Sequence, residues 1–213
     1  MANKKRKNEI RQAYQRKAQE QKFEAAVKKI FIYPCIALAI NVLVLVLLFV
    51  TFADIYNSSS SVGVEVSVSG WSFVMSALTG NYTSVEPIYG DIAMPFYYYA
   101  AEWCQTIGTC ALLAAIAVIL TLVVQLVTVI RKNHVLNLIS LALSVVSFVL
   151  LIVCFAKGID MINSDIIPIY CGGNPLCTIR SYAIIPALLA LGGGVVSAIA
   201  TVKYFQASSL VKQ

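Results

Sequence analysis

Ile30-Phe31-Ile32-Tyr33-Pro34-Cys35-Ile36-Ala37-Leu38-Ala39-Ile40-Asn41-Val42-Leu43-Val44-Leu45-Val46-Leu47-Leu48-Phe49-Val50-Thr51-Phe52-Ala53 runs without a single charge. A helix needs about 20 apolar residues to cross the hydrocarbon of a bilayer, and this stretch has them. Lys4, Lys5, Arg6, Lys7, Arg11, Arg16, Lys17, Lys22, Lys28 and Lys29 precede it, and no Lys or Arg follows until Arg131. The excess of positive charge predicts a cytoplasmic N-terminus. A cleaved signal peptide is the competing reading. The basic leader is long for one, the apolar run exceeds the usual ~7–15 residues, and Thr51-Phe52-Ala53 makes a poor cleavage site. A retained anchor fits better.

Working outward, the apolar residues fall in four blocks. The chain of 213 residues is 59% hydrophobic and only 12% charged, roughly half the charged share of a soluble domain. The fold expected is an all-α membrane protein, a four-transmembrane-helix bundle with a small strand-containing extracytoplasmic region. Spans are predicted over 30–53, 106–130, 135–155 and 182–205, with outer loops at 54–105 and 156–181. Residues 1–29 form a basic cytoplasmic leader and 206–213 a cytoplasmic tail, around a membrane domain of 30–205. The net charge of +6 follows this topology. Arg131, Lys132, Lys203 and Lys212 join the leader inside, while Asp54, Glu65, Glu86, Asp91, Glu102, Asp160 and Asp165 fall outside. Charge sorted by side points to a multi-pass protein of the plasma membrane and away from nucleic acid.

The leader is rich in good helix formers. Phe23, Ala26, Val27 and Ile30 give its last turns one apolar side. It reads either as a solvated helix that enforces orientation or as a basic helix held by anionic lipid or an acidic cytoplasmic partner. In the first outer loop Val62, Val64, Val66 and Val68 alternate with Gly63, Glu65, Ser67 and Ser69, the period of a half-buried strand. Trp71, Val74, Met75 and Leu78 then fall at helical spacing, with Gly80 as a left-handed stop. A lone strand needs a mate. It comes from near Val85–Tyr89, from a second copy or from another protein. Val62, Val64, Val66, Val68, Trp71 and Met75 are the candidate partner-binding residues.

Within the spans, Asn41, Gln125, Ser140, Ser144 and Ser147 are polar and uncharged. They read as interhelical glue or, alternatively, as a polar path, although coupled transporters usually hold ionisable groups at mid-membrane. Gly108, Ala111, Gly193, Gly194, Ser197 and Ala198 are small residues suited to close helix packing. Cys171-Gly172-Gly173-Asn174-Pro175-Leu176-Cys177 suits a small disulfide ring between Cys171 and Cys177 on an oxidising face. Cys104 and Cys110, six residues apart on one helix, do not suit each other. His134 is the single histidine and sits in a basic turn. Neither a catalytic nor a metal or cofactor motif emerges, so the expectation is no cofactor and no enzyme.

Four spans with a long first outer loop and cytoplasmic ends resemble the claudin-type plan. The claudin Trp...Gly-Leu-Trp motif and first-loop cysteines are absent, since Asp54–Ala101 holds only Trp71. Ser69-Gly70-Trp71-Ser72-Phe73...Gly80 is similar to a Ser-Gly-Phe...Gly pattern in small tetraspan membrane proteins of Gram-positive bacteria. That resemblance covers about a dozen residues and implies location without activity. The function expected is a non-enzymatic accessory or scaffold subunit that binds a membrane or extracytoplasmic protein, or another copy of itself, through its first outer loop. The alternatives are a small transporter or channel component, and a membrane thiol-disulfide oxidoreductase.

Overall fold

In a computed structural model, residues 2–57, 64–80, 93–131, 135–163, 175–179 and 181–212 are described. Among the described residues six helices and three short strands follow one another as α1 (Ala2–Ile30), α2 (Ile32–Leu47), β1 (Thr51–Asn57), β2 (Val64–Ser69), α3 (Gly70–Thr79), α4 (Ala93–Arg131), α5 (Leu136–Ile162), β3 (Pro175–Ile179) and α6 (Ile185–Lys212). A short 3-10 turn, Ser181–Ile184, leads into α6. Four helical stretches are long and apolar enough to cross a membrane: Tyr14–Leu47, Trp103–Arg131, Leu136–Asp160 and Tyr182–Ser209. The chain is a four-helix bundle of the multi-pass membrane class. α2 and α5 each pack against both α4 and α6, so the four spans close into a ring. Their outward faces carry Val42, Leu43, Val46, Leu113, Ile116, Leu120, Val123, Val149 and Val195, all exposed, as lipid-facing positions are.

The helix boundaries differ from the sequence reading, most of all in the first span. Helix α2 stops at Leu47, not at Ala53, although every residue between is uncharged. Two contacts explain the early stop. The Trp71 backbone N–H donates to the Leu48 carbonyl at 2.7 Å, so the chain returning from β2 satisfies a carbonyl that the helix end leaves open. A Cβ on Gly70 would lie 3.2 Å from that same oxygen, and the approach suits a residue without one. Thr51–Asn57, freed from the helix, forms β1 instead. Helix α4 begins at Ala93, well before the expected Thr106. It has 39 residues and a length of about 58 Å, far more than the ~30 Å of hydrocarbon. Helices α5 and α6 likewise outrun their predicted ends, to Ile162 and Lys212.

The strands are ordered β2-β1-β3, all antiparallel. By register, Val64, Val66 and Val68 lie opposite Asn57, Ile55 and Ala53, and Pro175, Cys177 and Ile179 lie opposite the same three. The mate of β2 is therefore β1. Val85–Tyr89 and Val62 lie outside the described residues. Helix α3 is capped by Ser69, whose Oγ accepts from the Ser72 N–H at 3.2 Å, and ends at Gly80 with φ 68°.

Helix α1 is nearly continuous with α2. Only Phe31 intervenes, and its N–H still reaches the Val27 carbonyl at 3.1 Å. Its last turns dock on α6: Phe23, Ala26 and Ile30 pack with Ala200, Tyr204 and Ala207. Lys203 lies 4.9 Å from the Tyr33 ring centre and donates to its hydroxyl at 2.6 Å. Upstream of these turns the described leader residues are mostly exposed. The leader's apolar side is used within the chain, along the C-terminal turns of α6.

Candidate functional site: a polar cluster inside the bundle

The ring of spans encloses a core that changes character along its axis. Toward the sheet end it is hydrocarbon: Val44, Leu48, Phe73, Val74, Ile107, Ala111, Ala114, Val118, Leu151, Ala187 and Ala190 form one buried cluster. A cavity of about 180 Å³ opens there, lined by Leu48, Phe52, Phe73, Ile107, Leu151 and Cys154 among others. Toward the end that holds both termini the core is polar. Asn41, Thr121, Gln125, Thr128, Asn137, Ser140, Ser144, Ser147, Ser197 and Thr201 are all buried.

All four spans contribute to this polar half. The Asn41 amide of α2 donates to its own Ala37 carbonyl at 2.9 Å and, at 3.4 Å, to the Gln125 side-chain oxygen on α4. On α6, a Cβ at Gly193 would lie 2.8 Å from Asn41 Nδ2, and one at Gly194 would lie 3.1 Å from Ser144 Cβ on α5. Neighbouring glycines therefore serve two different helices. Gly193 admits the Asn41 amide, while Gly194 admits the α5 serine ridge. A Cβ at Gly192 would meet nothing within 4 Å. The candidate packing residues Gly108, Ala111 and Ser197 are buried, and Ala198 is half-buried; the small-residue positions serve packing within one chain.

The buried hydroxyls divide into two groups. Thr121, Thr128, Ser147, Ser197 and Thr201 donate to carbonyls four residues earlier in their own helices, at 2.8–3.0 Å. Ser140 and Ser144 do not: their Oγ atoms have no hydrogen-bond partner, and neither do Asn41 Oδ1, Gln125 Nε2 or both side-chain polar atoms of Asn137. An unmatched buried polar group costs about 1–3 kcal/mol. Exchanging amide ends does not relieve it. Turning Asn41 would aim its oxygen at the Ala37 carbonyl, and turning Gln125 would set two NH₂ groups face to face.

The structure thus brings Asn41, Gln125, Ser140, Ser144 and Ser147 to one core. Asn137 was missed, although it stands three residues before Ser140 and extends the same stripe.

The partner-binding candidates fall elsewhere. Val64, Val66 and Val68 are in β2. Trp71 is half-buried and stacks on Phe49 at 5.0 Å between ring centres, while Met75 is exposed. Cys35, Cys110 and Cys154 are free thiols, and no disulfide joins any described pair. Cys171 lies outside the described residues, and Cys177 occupies an extended strand opposite Ile55. Cys104 and Cys154 are buried in the apolar half, and Cys154 donates to the Ile107 carbonyl at 3.5 Å. No group of three or more His, Cys, Asp or Glu suited to a metal occurs among the described residues, and His134 is not one of them.

At the sheet end Asp160 of α5 accepts from the Trp103 indole of α4 at 3.0 Å and from Lys157 at 3.1 Å. Lys157 and Asp160 are exposed, so the clasp orients two helix ends and adds little to stability. No family model, no curated protein and no solved structure matches the chain.

Proposed function

We propose that this protein is a non-enzymatic accessory or scaffold subunit of the plasma membrane. Both termini are cytoplasmic, and the strands and α3 form a small extracytoplasmic platform that binds a membrane or extracytoplasmic protein, or a second copy. The charge asymmetry supports the orientation: ten Lys and Arg precede Ile30, and the next is Arg131 at the following inner turn. One observation carries the partner reading. Among the described strands, β2 has a neighbour on one side only, and its sequence alternates Val64, Val66 and Val68 with Glu65 and Ser67. An open strand edge invites an added strand, with main-chain bonds giving affinity.

The reading is tested by purifying the full chain in mild detergent, with mass spectrometry of what accompanies it and light scattering for its own stoichiometry. Ser67→Lys and Val66→Lys each place a charge on the edge strand. The wild type is expected to retain a protein or a second copy that both variants lose at unchanged helix content. A wild type recovered alone and monomeric in several detergents contradicts the proposal.

A further inference from the structure

Six polar atoms without partners in a core closed to lipid are unusual, because buried polar groups are ordinarily paired. Here they are not scattered. Asn137, Ser140 and Ser144 stand at i, i+3 and i+7 on one face of α5, a rise of about 10 Å. Gln125 and Asn41 close the cluster from α4 and α2, with Gly193 and Gly194 of α6 behind them. The serines matter most. The other buried helix hydroxyls of this half take the local carbonyl, whereas Ser140 and Ser144 forgo it.

We propose that this cluster is a binding site for a small uncharged molecule that both donates and accepts hydrogen bonds, of the size of water. The open valences define that chemistry. Gln125 Nε2 has N–H groups to give, Asn41 Oδ1 has lone pairs to receive, and the two serines do either. A cation would face the Gln125 N–H groups and an anion the Asn41 oxygen, and no ionised side chain stands in the cluster to offset the cost of desolvating either. At the termini end Asn137 is itself fully buried, and the sheet end is shut by Val44, Ala114, Val118 and Leu151, buried in hydrocarbon contacts. The guest is held and not passed through. A buried water with two to four polar partners is a normal constituent of proteins; here three helices, α2, α4 and α5, would share it.

The test uses the full chain in lipid bilayers with ¹⁵N-labelled Asn and Gln side chains, read by solid-state NMR transfer from water. Asn163, exposed at the end of α5, is the positive control, and Asn41→Leu and Gln125→Leu assign the resonances. Transfer to the Gln125 and Asn41 amides, lost in Ser140→Ala/Ser144→Ala, is the result expected for water. Silence toward water with shifts of the same amides on adding urea identifies a small solute of the same chemistry. Amides silent to both, with Asn163 responding, overturn the site. Proteoliposome swelling no faster than in protein-free vesicles is expected of a blind recess, and faster osmotic water flow contradicts it. Neither readout depends on the docking role of β2, so the two proposals fail separately.

Discussion

The two halves of the bundle core are held by different physics. At the sheet end the contacts are among Val44, Ile107, Ala114, Val118 and Leu151, and what matters is volume. At the termini end Asn41, Gln125, Ser140 and Ser144 occupy the same ring of helices, and what matters is pairing. One apolar solvent surrounds both, so the hydrophobic effect distinguishes neither from the outside. The lesson is that a membrane bundle obtains close packing from hydrocarbon shape in one half and from glycine and small polar groups in the other.

That contrast can be broken by exchanging the rules. Ile107→Ala, at a fully buried position beside the cavity, should cost about 2–5 kcal/mol, read as a lower midpoint in thermal or SDS unfolding; a loss near zero would mean the apolar half has no volume requirement. Gly193→Val should cost about 1–3 kcal/mol by overpacking against Asn41, whereas Gly192→Ala, facing open space, should be neutral or stabilising. Equal effects at the two glycines would end the claim that they face different surroundings. Asn41→Leu leaves Gln125 with no partner and should lose about 1–2 kcal/mol; in the Gln125→Leu background the same change should cost less, with a coupling near 0.6 kcal/mol. Additive losses would show that the 3.4 Å contact is geometric only. Smallest is Ser69→Ala, about 1 kcal/mol from the lost cap of α3, detected as faster amide exchange at Ser72 with the four spans undisturbed.

Much of this was legible in the sequence, for stated reasons. Four uncharged runs of bilayer length have no soluble explanation, and the stripe Ser140, Ser144, Ser147 already declared one face of α5. The end of the first span was not legible. Leu48 to Ala53 are as apolar as what precedes them, and only the return of Gly70 and Trp71 to the Leu48 carbonyl stops the helix. Hydropathy is local and that contact is not. The division of labour between Gly193 and Gly194 was hidden similarly, since neighbouring residues on a helix point about 100° apart and the chain does not announce which helix lies in each direction. The use of the leader was hidden as well. Phe23, Ala26 and Ile30 form an apolar side in any reading, but that it meets Tyr204 and Ala207 depends on α6 running past the membrane boundary.

The orientation of the bundle underlies the platform reading. It is measured by placing single cysteines at Ser67, in β2, and at Ser209, near the end of α6, in a chain whose native cysteines are replaced by serine or alanine, and treating intact cells with a membrane-impermeant maleimide. Labelling of Ser67→Cys in intact cells, with Ser209→Cys labelled only after permeabilisation, is the predicted result. Labelling of Ser209→Cys in intact cells, with Ser67→Cys protected until lysis, would turn the molecule over.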